Sequence, residues 1–203
     1  MGPKFHDYAW PMPRWEPGAR ERLVVAAVEL FTEQGYDATT VAKIAARAGT
    51  TKSTFFRYFG DKRELLVAGQ ETLGRLLAQG IAEAPDAASP LQAVAAGLER
   101  ASSAMGPVNR ELAPRLRAAV AASTELQERD ALKSVGLAAA MTAALVDRGV
   151  PDPIAQLAGE LGVLAFKRGF ARWSESDQPT ADALAARTRS ALDELREATA
   201  SLG

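Results

Sequence analysis

Residues 40–59 read TVAKIAARAGTTKSTFFRYF, which is two short helical patterns separated by Gly49. In the first pattern Val41, Ile44, Ala45 and Ala48 have the spacing of a buried helix face. The second pattern runs to about Phe59. A threonine before each pattern can cap its first turn, and the candidates are Thr39 or Thr40, then Thr50 or Thr51. Two short helices joined by a tight glycine turn predict a helix-turn-helix.

The second helix of this pair carries four of the 13 aromatic residues in a chain of 203 residues. Phe55 and Phe59 are four residues apart, so they share one helix face. We expect both rings to pack in a core against three apolar residues, Leu30, Phe31 and Ile44. The polar and cationic residues of the stretch then face outward.

The rest of the chain also has helical periodicity. One helix follows Pro17-Gly18 and ends at Gly35, and another, capped by Asp61, is expected from Lys62 to about Ile81. Further helices are expected over 90–105, 109–122, 124–148, 153–175 and 180–200, with glycine and proline turns between them. Alanine, leucine, arginine and glutamate dominate, and strand-like alternation is almost absent. The sequence therefore predicts an all-α protein of about nine helices.

Several kinds of site are excluded by the residues that the chain lacks. It has no cysteine and a single histidine, His6, which excludes disulfides, thiolate zinc sites, His-based metal cages and Ser-His-Asp triads. Paired-carboxylate motifs and phosphate-binding glycine loops are also missing, so we expect no metal, no cofactor and no enzymatic activity. The apolar runs are far shorter than the roughly 20 residues of a membrane span, and no signal peptide is recognisable. We expect a cytoplasmic protein without a membrane partner.

The charge of the chain is unevenly distributed. The net charge is −1, but between residues 39 and 63 six cations stand against one anion, which gives this window +5 and the remainder −6. A basic window in an otherwise acidic chain favours contact with a polyanion. Two other interpretations stay open: a solvated basic face, and a helical protein-interaction module whose basic window binds an acidic partner.

The run from residue 39 to residue 66, TTVAKIAARAGTTKSTFFRYFGDKRELL, resembles the DNA-binding signature of the TetR/AcrR family of bacterial transcriptional regulators. The resemblance covers about residues 19–67 and implies a helix-turn-helix that binds double-stranded DNA. Together with the lack of helical periodicity in residues 1–16, it divides the chain into three predicted parts. These are an irregular N-terminal arm over residues 1–16, a DNA-binding domain over 17–64, and an effector-binding and dimerisation domain over 65–203.

The resemblance implies which residues would contact DNA. The second helix of a helix-turn-helix enters the major groove with its N-terminal residues at the base edges, and these are Thr51, Lys52 and Ser53, with Arg57 further along. Lys52 and Arg57 can each contact a base or a phosphate. The expected phosphate contacts are Thr40, Lys43, Thr54, Tyr58 and Lys62. Phe56 stands where the family usually has a tyrosine, so we expect only van der Waals contact between its ring and the sugar-phosphate backbone.

The resemblance further implies that the C-terminal helices form a homodimer and bind a small-molecule effector. The last two helices suggest a four-helix interface, with two helices from each subunit, and its candidates are Gly162, Phe166, Gly169, Phe170, Trp173, Leu184, Thr188, Leu192 and Leu195. Polar groups at possible inward positions are Arg75, Arg100, Asn109, Arg115, Arg117 and Lys167. We expect most of these cations to be solvated, and the sequence leaves the effector and its binding residues unassigned. The predicted function is that of a repressor, released from its operator by a small, largely apolar molecule.

Overall fold

The computed structural model describes residues 18–65, 69–177 and 180–202, and within these ranges it contains nine α-helices and no β-strand. The helices are α1 (Ala19–Gln34), α2 (Val41–Arg47), α3 (Lys52–Tyr58), α4 (Gln70–Ala82), α5 (Pro90–Ser103), α6 (Pro107–Ala121), α7 (Thr124–Asp147), α8 (Asp152–Ser174) and α9 (Ala181–Ala200). The all-α prediction is confirmed. The predicted arm, residues 1–16, lies outside the described ranges, and none of the described helices is long and apolar enough to cross a membrane.

Helices α1, α2 and α3 form a small unit, termed the head (residues 18–65), around one apolar core. Phe55 is fully buried and Phe59 nearly so. As the sequence predicted, their core partners include Leu30, Phe31 and Ile44. The position of α3 on α1 and α2 is therefore fixed by the inner side of α3.

The turn between α2 and α3 depends on Gly49, whose φ of 65° lies in the left-handed region that glycine adopts without strain. The Nε of Arg22 on α1 donates a hydrogen bond of 3.2 Å to the carbonyl oxygen of Ala48, next to this glycine. This hydrogen bond holds the turn against α1. It thereby restricts the angle at which α3 leaves the turn.

Helix α4 begins later than the sequence pattern predicted. Asp61 accepts the backbone N–H groups of Arg63 and Glu64 at 2.8 and 3.1 Å, as a helix cap would. However, residues 62–65 form turns, and α4 begins only at Gln70. Gly69 precedes it with a φ of 86°, a backbone conformation that interrupts a continuous helix.

Helices α4, α5, α7, α8 and α9 pack around a second and larger core, and these five helices are termed the body. Helices α4 and α5 approach most closely where Gly80 faces Gly97. A Cβ atom added to Gly80 would lie 2.6 Å from the carbonyl oxygen of Ala96, so this crossing needs a residue without a side chain. This close approach holds α4 and α5 together as one side of the body.

Helix α6 and the start of α7 contribute to the head as well. Ala119 of α6 and Leu126 of α7 are buried in the core of the head. The hydroxyl of Tyr36, in the turn between α1 and α2, donates a hydrogen bond of 2.9 Å to Oε1 of Glu125. The core of the head therefore includes residues from beyond the predicted boundary at residues 64 and 65, and that boundary stays a prediction.

Most residues of the predicted dimer interface pack within the body of one chain, and their contact with a partner stays a prediction. Seven of them are buried within one chain, namely Gly162, Gly169, Trp173, Leu184, Thr188, Leu192 and Leu195. A Cβ atom on Gly169 would lie 2.6 Å from the backbone nitrogen of Thr188 in the same chain, and one on Gly162 would lie 2.9 Å from Sδ of Met141. The small residues do permit close helix approach, but between α8 and its own neighbours. Only Phe166 and Phe170 of the predicted set are half-buried.

Candidate nucleic-acid interface

One side of α3 is exposed and carries polar, cationic and aromatic groups together. Lys52, Ser53, Phe56 and Arg57 are exposed, whereas Phe55 is fully buried on the other side of the helix. Residues three or four apart are neighbours on a helix surface, so Phe56 stands beside both Lys52 and Ser53. These four exposed residues are termed the outer face of α3.

Threonine side chains start both helices of the pair. Thr40 caps α2 by accepting the backbone N–H of Lys43 at 3.3 Å, and Thr51 caps α3 by accepting that of Thr54 at 3.1 Å. Such caps stabilise a short helix by about 1 kcal/mol. Both threonines are exposed, so the cap leaves each of them at the surface, and their contacts with DNA stay predictions.

Arg57 and Tyr58 form a pair at the end of α3. The central carbon of the Arg57 guanidinium lies 5.1 Å from the centroid of the Tyr58 ring, and one guanidinium nitrogen lies 3.5 Å from the tyrosine hydroxyl. A guanidinium stacked on a ring loses fewer conformations when it binds an anion or a base edge. Tyr58 is half-buried, so it can support Arg57 while its hydroxyl stays near the surface.

Lys62, which was predicted to contact a phosphate, has its partners within the head. Its ammonium group donates to the carbonyl oxygens of Tyr36 at 2.8 Å and Thr39 at 3.1 Å. The same nitrogen lies 3.8 Å from the centroid of the Tyr36 ring. These contacts bind Lys62 to the turn between α1 and α2. A phosphate contact would have to replace them.

Lys43 is the other predicted phosphate ligand that has partners in its own chain. Its ammonium group donates to Oε1 of Gln34 at 2.9 Å and to the carbonyl oxygen of Ala38 at 3.0 Å. Lys43 is exposed whereas Lys62 is half-buried, so solvent and anions can still reach Lys43. Its contact with a phosphate stays a prediction.

Ion pairs neutralise two other cations of the basic window. Arg47 pairs with Glu33 at 2.7 Å and with Glu29 at 3.3 Å, and Arg63 pairs with Asp61 at 2.5 Å. The hydrogen bond from Arg47 lowers the pKa of Glu33, and that from Arg63 lowers the pKa of Asp61. Neither pair involves the outer face of α3, where Lys52 and Arg57 lie.

The outer face of α3 has the groups needed to recognise duplex DNA. Lysine and arginine pair with the guanine O6 and N7 acceptors, hydroxyl groups contact either strand, and apolar side chains contact thymine methyl groups. An α-helix with its side chains is about 10–12 Å in diameter, which fits a major groove about 12 Å wide. The structure thus brings Lys52, Ser53, Phe56 and Arg57 together on one surface.

The six polar residues that the sequence suggested for an effector site lie outside α3. All six are exposed or engaged at the surface, and they are Arg75, Arg100, Asn109, Arg115, Arg117 and Lys167. Arg100 pairs with Glu83 at 2.6 Å, and Lys167 pairs with Asp130 at 2.7 Å. Asn109 accepts the backbone N–H of Gly106 at 2.9 Å, as a cap of α6.

Lys133 on α7 is a polar residue of the body that sequence reasoning missed. It is half-buried and forms no hydrogen bond or ion pair with the residues that the structure describes. Burial lowers the pKa of its ammonium group, and the nearby Asp130 carboxylate partly opposes that effect. The signal was present in the sequence, because Lys133 lies seven residues after Leu126 and four before Leu137, both of which are buried.

Residues 23–68 match the sequence model of the family described as "Bacterial regulatory proteins, tetR family". This range covers the whole of α2 and α3, most of α1, and the turns that follow α3. The match therefore coincides with the head, whose outer surface carries the basic and aromatic residues described above.

Curated relatives match over part of the chain. The chain is 37% identical over 87 residues to the HTH-type transcriptional regulator BetI of Rhizobium meliloti (strain 1021), which covers 42% of this chain and 43% of that protein. It is 37% identical over 62 residues to the uncharacterized HTH-type transcriptional regulator YvdT of Bacillus subtilis (strain 168), covering 30% and 32%. The chain thus matches less than half the length of these relatives.

Similarity to solved structures extends over most of the chain. The structure of GusR from Salmonella enterica has a TM-score of 0.54 with this fold, at 19% identity, and the two match over 89% of this chain and 96% of the other. At that identity the similarity concerns the fold alone. The body as well as the head therefore has a known architecture.

Proposed function

We propose that this chain, whose residues 23–68 match the sequence model of the tetR family, binds operator DNA through α3 and regulates transcription. The observation that carries the proposal is the outer face of α3, where Lys52, Ser53, Phe56 and Arg57 are exposed together. In helix-turn-helix complexes the corresponding helix lies in the major groove. We assign base contacts to this face and to Thr51, and phosphate contacts to the residues beside it, Thr40, Lys43, Thr54 and Tyr58.

The proposed regulator is a homodimer joined through a groove between α5, α8 and α9. Ile154 and Leu157 of α8 are 50% and 57% exposed in this groove, and Leu161 continues their apolar stripe. The rim carries both signs of charge, in the pairs Arg189–Glu99 at 2.6 Å and Arg196–Asp193 at 3.3 Å. Two copies related by a two-fold axis would bury the stripe and bring opposite charges together at the rim.

The proposed action is repression that a small effector relieves. The effector would bind in the body and shift α6 and the start of α7, which supply Ala119 and Leu126 to the core of the head, while α6 also packs against α8 of the body. That shift would change the distance between the two α3 helices, which must match half-sites about 34 Å apart or a multiple of that spacing. Lys133 is the proposed polar anchor, so a largely apolar molecule with one acceptor or anionic group fits best.

The test is selection of genomic DNA fragments by the full-length chain, followed by titration of the enriched duplex. We expect a shared, two-fold-related sequence among the fragments. Arg57→Ala should weaken binding to it about 10- to 100-fold, because one base or phosphate contact is lost. Arg75→Ala is the matched control, since Arg75 is an exposed cation of α4 and should leave the affinity unchanged.

Two results would contradict the proposal. One is that the enriched fragments share no sequence. The other is that a generic polyanion such as heparin competes as well as the enriched duplex does, which would favour an acidic protein partner for the basic window. Thermal unfolding of both variants shows whether a loss of binding reflects a loss of fold.

A further inference from the structure

The ring of Phe56 is exposed to a degree that is unusual for its surroundings. Its side chain is 56% exposed, and within the described residues 18–65 no other large apolar side chain is comparably exposed. Exposing a phenyl ring to water is unfavourable by about 1.5–3 kcal/mol relative to burying it. A surface ring in the middle of a DNA-facing helix therefore favours a partner that covers it.

The orientation of the Phe56 ring is set by its neighbours. The ring packs edge-on against Phe55, with 5.4 Å between the centroids and 82° between the planes. Phe55 is fully buried, so this contact holds Phe56 from the core side and leaves the remainder of the ring facing outward. Phe56 follows Lys52 by four residues and Ser53 by three, which puts it on the side of α3 that carries the groups suited to base edges.

Among the base edges in the major groove, only thymine has an apolar group that suits this ring. Guanine, cytosine and adenine present hydrogen-bond donors and acceptors there, whereas thymine also presents its C5-methyl group. Phosphate oxygens are strongly hydrated anions, and a phenyl ring has no donor with which to replace their water. Contact between the phenyl ring and a methyl group removes apolar surface of both groups from water.

We propose that Phe56 reads a thymine in each operator half-site by covering the C5-methyl group of that base. The inference rests on the proposed function, since it requires α3 to lie in the major groove. It replaces the expectation of a contact with the sugar-phosphate backbone by one that carries sequence information. Phe56 is thus assigned as a specificity-determining residue.

The experiment removes the methyl group from the DNA and leaves the protein unchanged. The duplex that the full-length chain selects is prepared as a set in which each thymidine in turn is replaced by deoxyuridine. Deoxyuridine keeps the hydrogen bonds of thymidine and lacks only the methyl group. At one position in each half-site we expect the Kd to rise about fourfold, the value for one buried methyl group, and about fifteenfold when both half-sites are changed.

Variants then connect that position with Phe56. In Phe56→Ala the ratio of the Kd for the deoxyuridine duplex to the Kd for the thymidine duplex should fall to nearly one at this position, whatever the overall affinity of the variant. Ser53→Ala is the matched control, because Ser53 lies on the same exposed side of α3 and should keep the ratio. Phe56 is exposed, so its replacement should leave thermal unfolding nearly unchanged, which keeps the comparison interpretable.

The outcomes separate the inference from the proposed function. If the chain selects no duplex, both are overturned. If it selects a duplex but no deoxyuridine replacement raises the Kd, or if the effect persists in Phe56→Ala, the inference alone is overturned and the ring contacts the backbone. Half-sites without thymine would overturn it in the same way.

Discussion

Side chains a few residues apart in the head have opposite roles, which depend on helix geometry and on the length of each side chain. Phe55 faces the core and Phe56 faces solvent, because consecutive residues on a helix are turned by about 100°. The spacing in the sequence predicted that division correctly. It did not predict the partners of Lys62, because a flexible side chain of four carbons reaches carbonyl groups 23 and 26 residues away in sequence.

The contacts of Lys62 lead to a prediction about the salt dependence of DNA binding. Lys62→Met should lower the free energy of unfolding by about 1–3 kcal/mol, because two carbonyl groups lose their donor. It should leave the slope of log Kd against log salt concentration unchanged. Lys52→Met, the matched variant on the outer face of α3, should reduce that slope by about 1 and change the free energy of unfolding by less than about 0.5 kcal/mol.

The measurements are urea unfolding and titration of the selected duplex at several salt concentrations. If Lys62→Met reduced the slope as much as Lys52→Met and left unfolding unchanged, Lys62 would be a phosphate ligand after all. The prediction from sequence would then be right, and the intramolecular contacts would be those of the free protein only.

At the scale of helices and turns, the sequence predicted well which residues form helices and turns. It did not predict which helices pack against each other. The threonine caps and the glycine turn of the head were predicted because they are local devices, fixed by a few neighbouring residues. The partner of Gly169 was not predictable, since a small residue permits close approach by any helix and only the topology decides which one arrives. The late start of α4 depends on the conformation of Gly69, which helical periodicity does not reveal.

The hydrogen bond between Tyr36 and Glu125 predicts a dependence of stability on alkaline pH. Burial, and then this hydrogen bond, raises the pKa of the Tyr36 hydroxyl above the ordinary tyrosine value of about 10. Because the folded state holds this proton more tightly than the unfolded state, the contribution to stability is complete below about pH 10. It is lost as the pH rises above that value.

We expect the free energy of unfolding of the wild type to fall more steeply between about pH 10 and pH 11 than that of Tyr36→Phe. At neutral pH, Tyr36→Phe should be less stable by about 1 kcal/mol, because one hydrogen bond is lost. Urea unfolding across this pH range makes the comparison. Parallel curves for the two proteins would show that Tyr36 does not hold its proton more tightly in the folded state.

At the scale of the whole molecule, the exposed stripe on α8 predicts the oligomeric state. Leu157→Glu should convert the proposed dimer into a monomer, because it brings a carboxylate into an apolar groove. Leu132→Glu on α7 is the matched control, since Leu132 is 59% exposed and Leu157 57%. Sedimentation equilibrium measures the mass of each variant, and a Leu157→Glu protein that stayed dimeric would place the interface elsewhere.

The general layout of the molecule was predictable from sequence, whereas the surface on which two copies would meet stays a prediction. Residues with an interface-like composition, such as Trp173 and Leu184, are fully buried in one chain, and composition alone does not distinguish core from interface. The exposed stripe at Ile154 and Leu157 is apparent only once the neighbours of α8 are known.

The burial of Leu126 in the core of the head has a consequence for the order of events during synthesis. Leu65 completes the part of that core that the first three helices and their turns supply, yet Leu126 is made about 60 residues later. At about 5–20 residues per second, the ribosome takes roughly 3 to 12 s to cover that interval. The first three helices are thus synthesised well before Leu126. Until Leu126 is added, the apolar surface against which it packs is exposed, and chaperones can bind it.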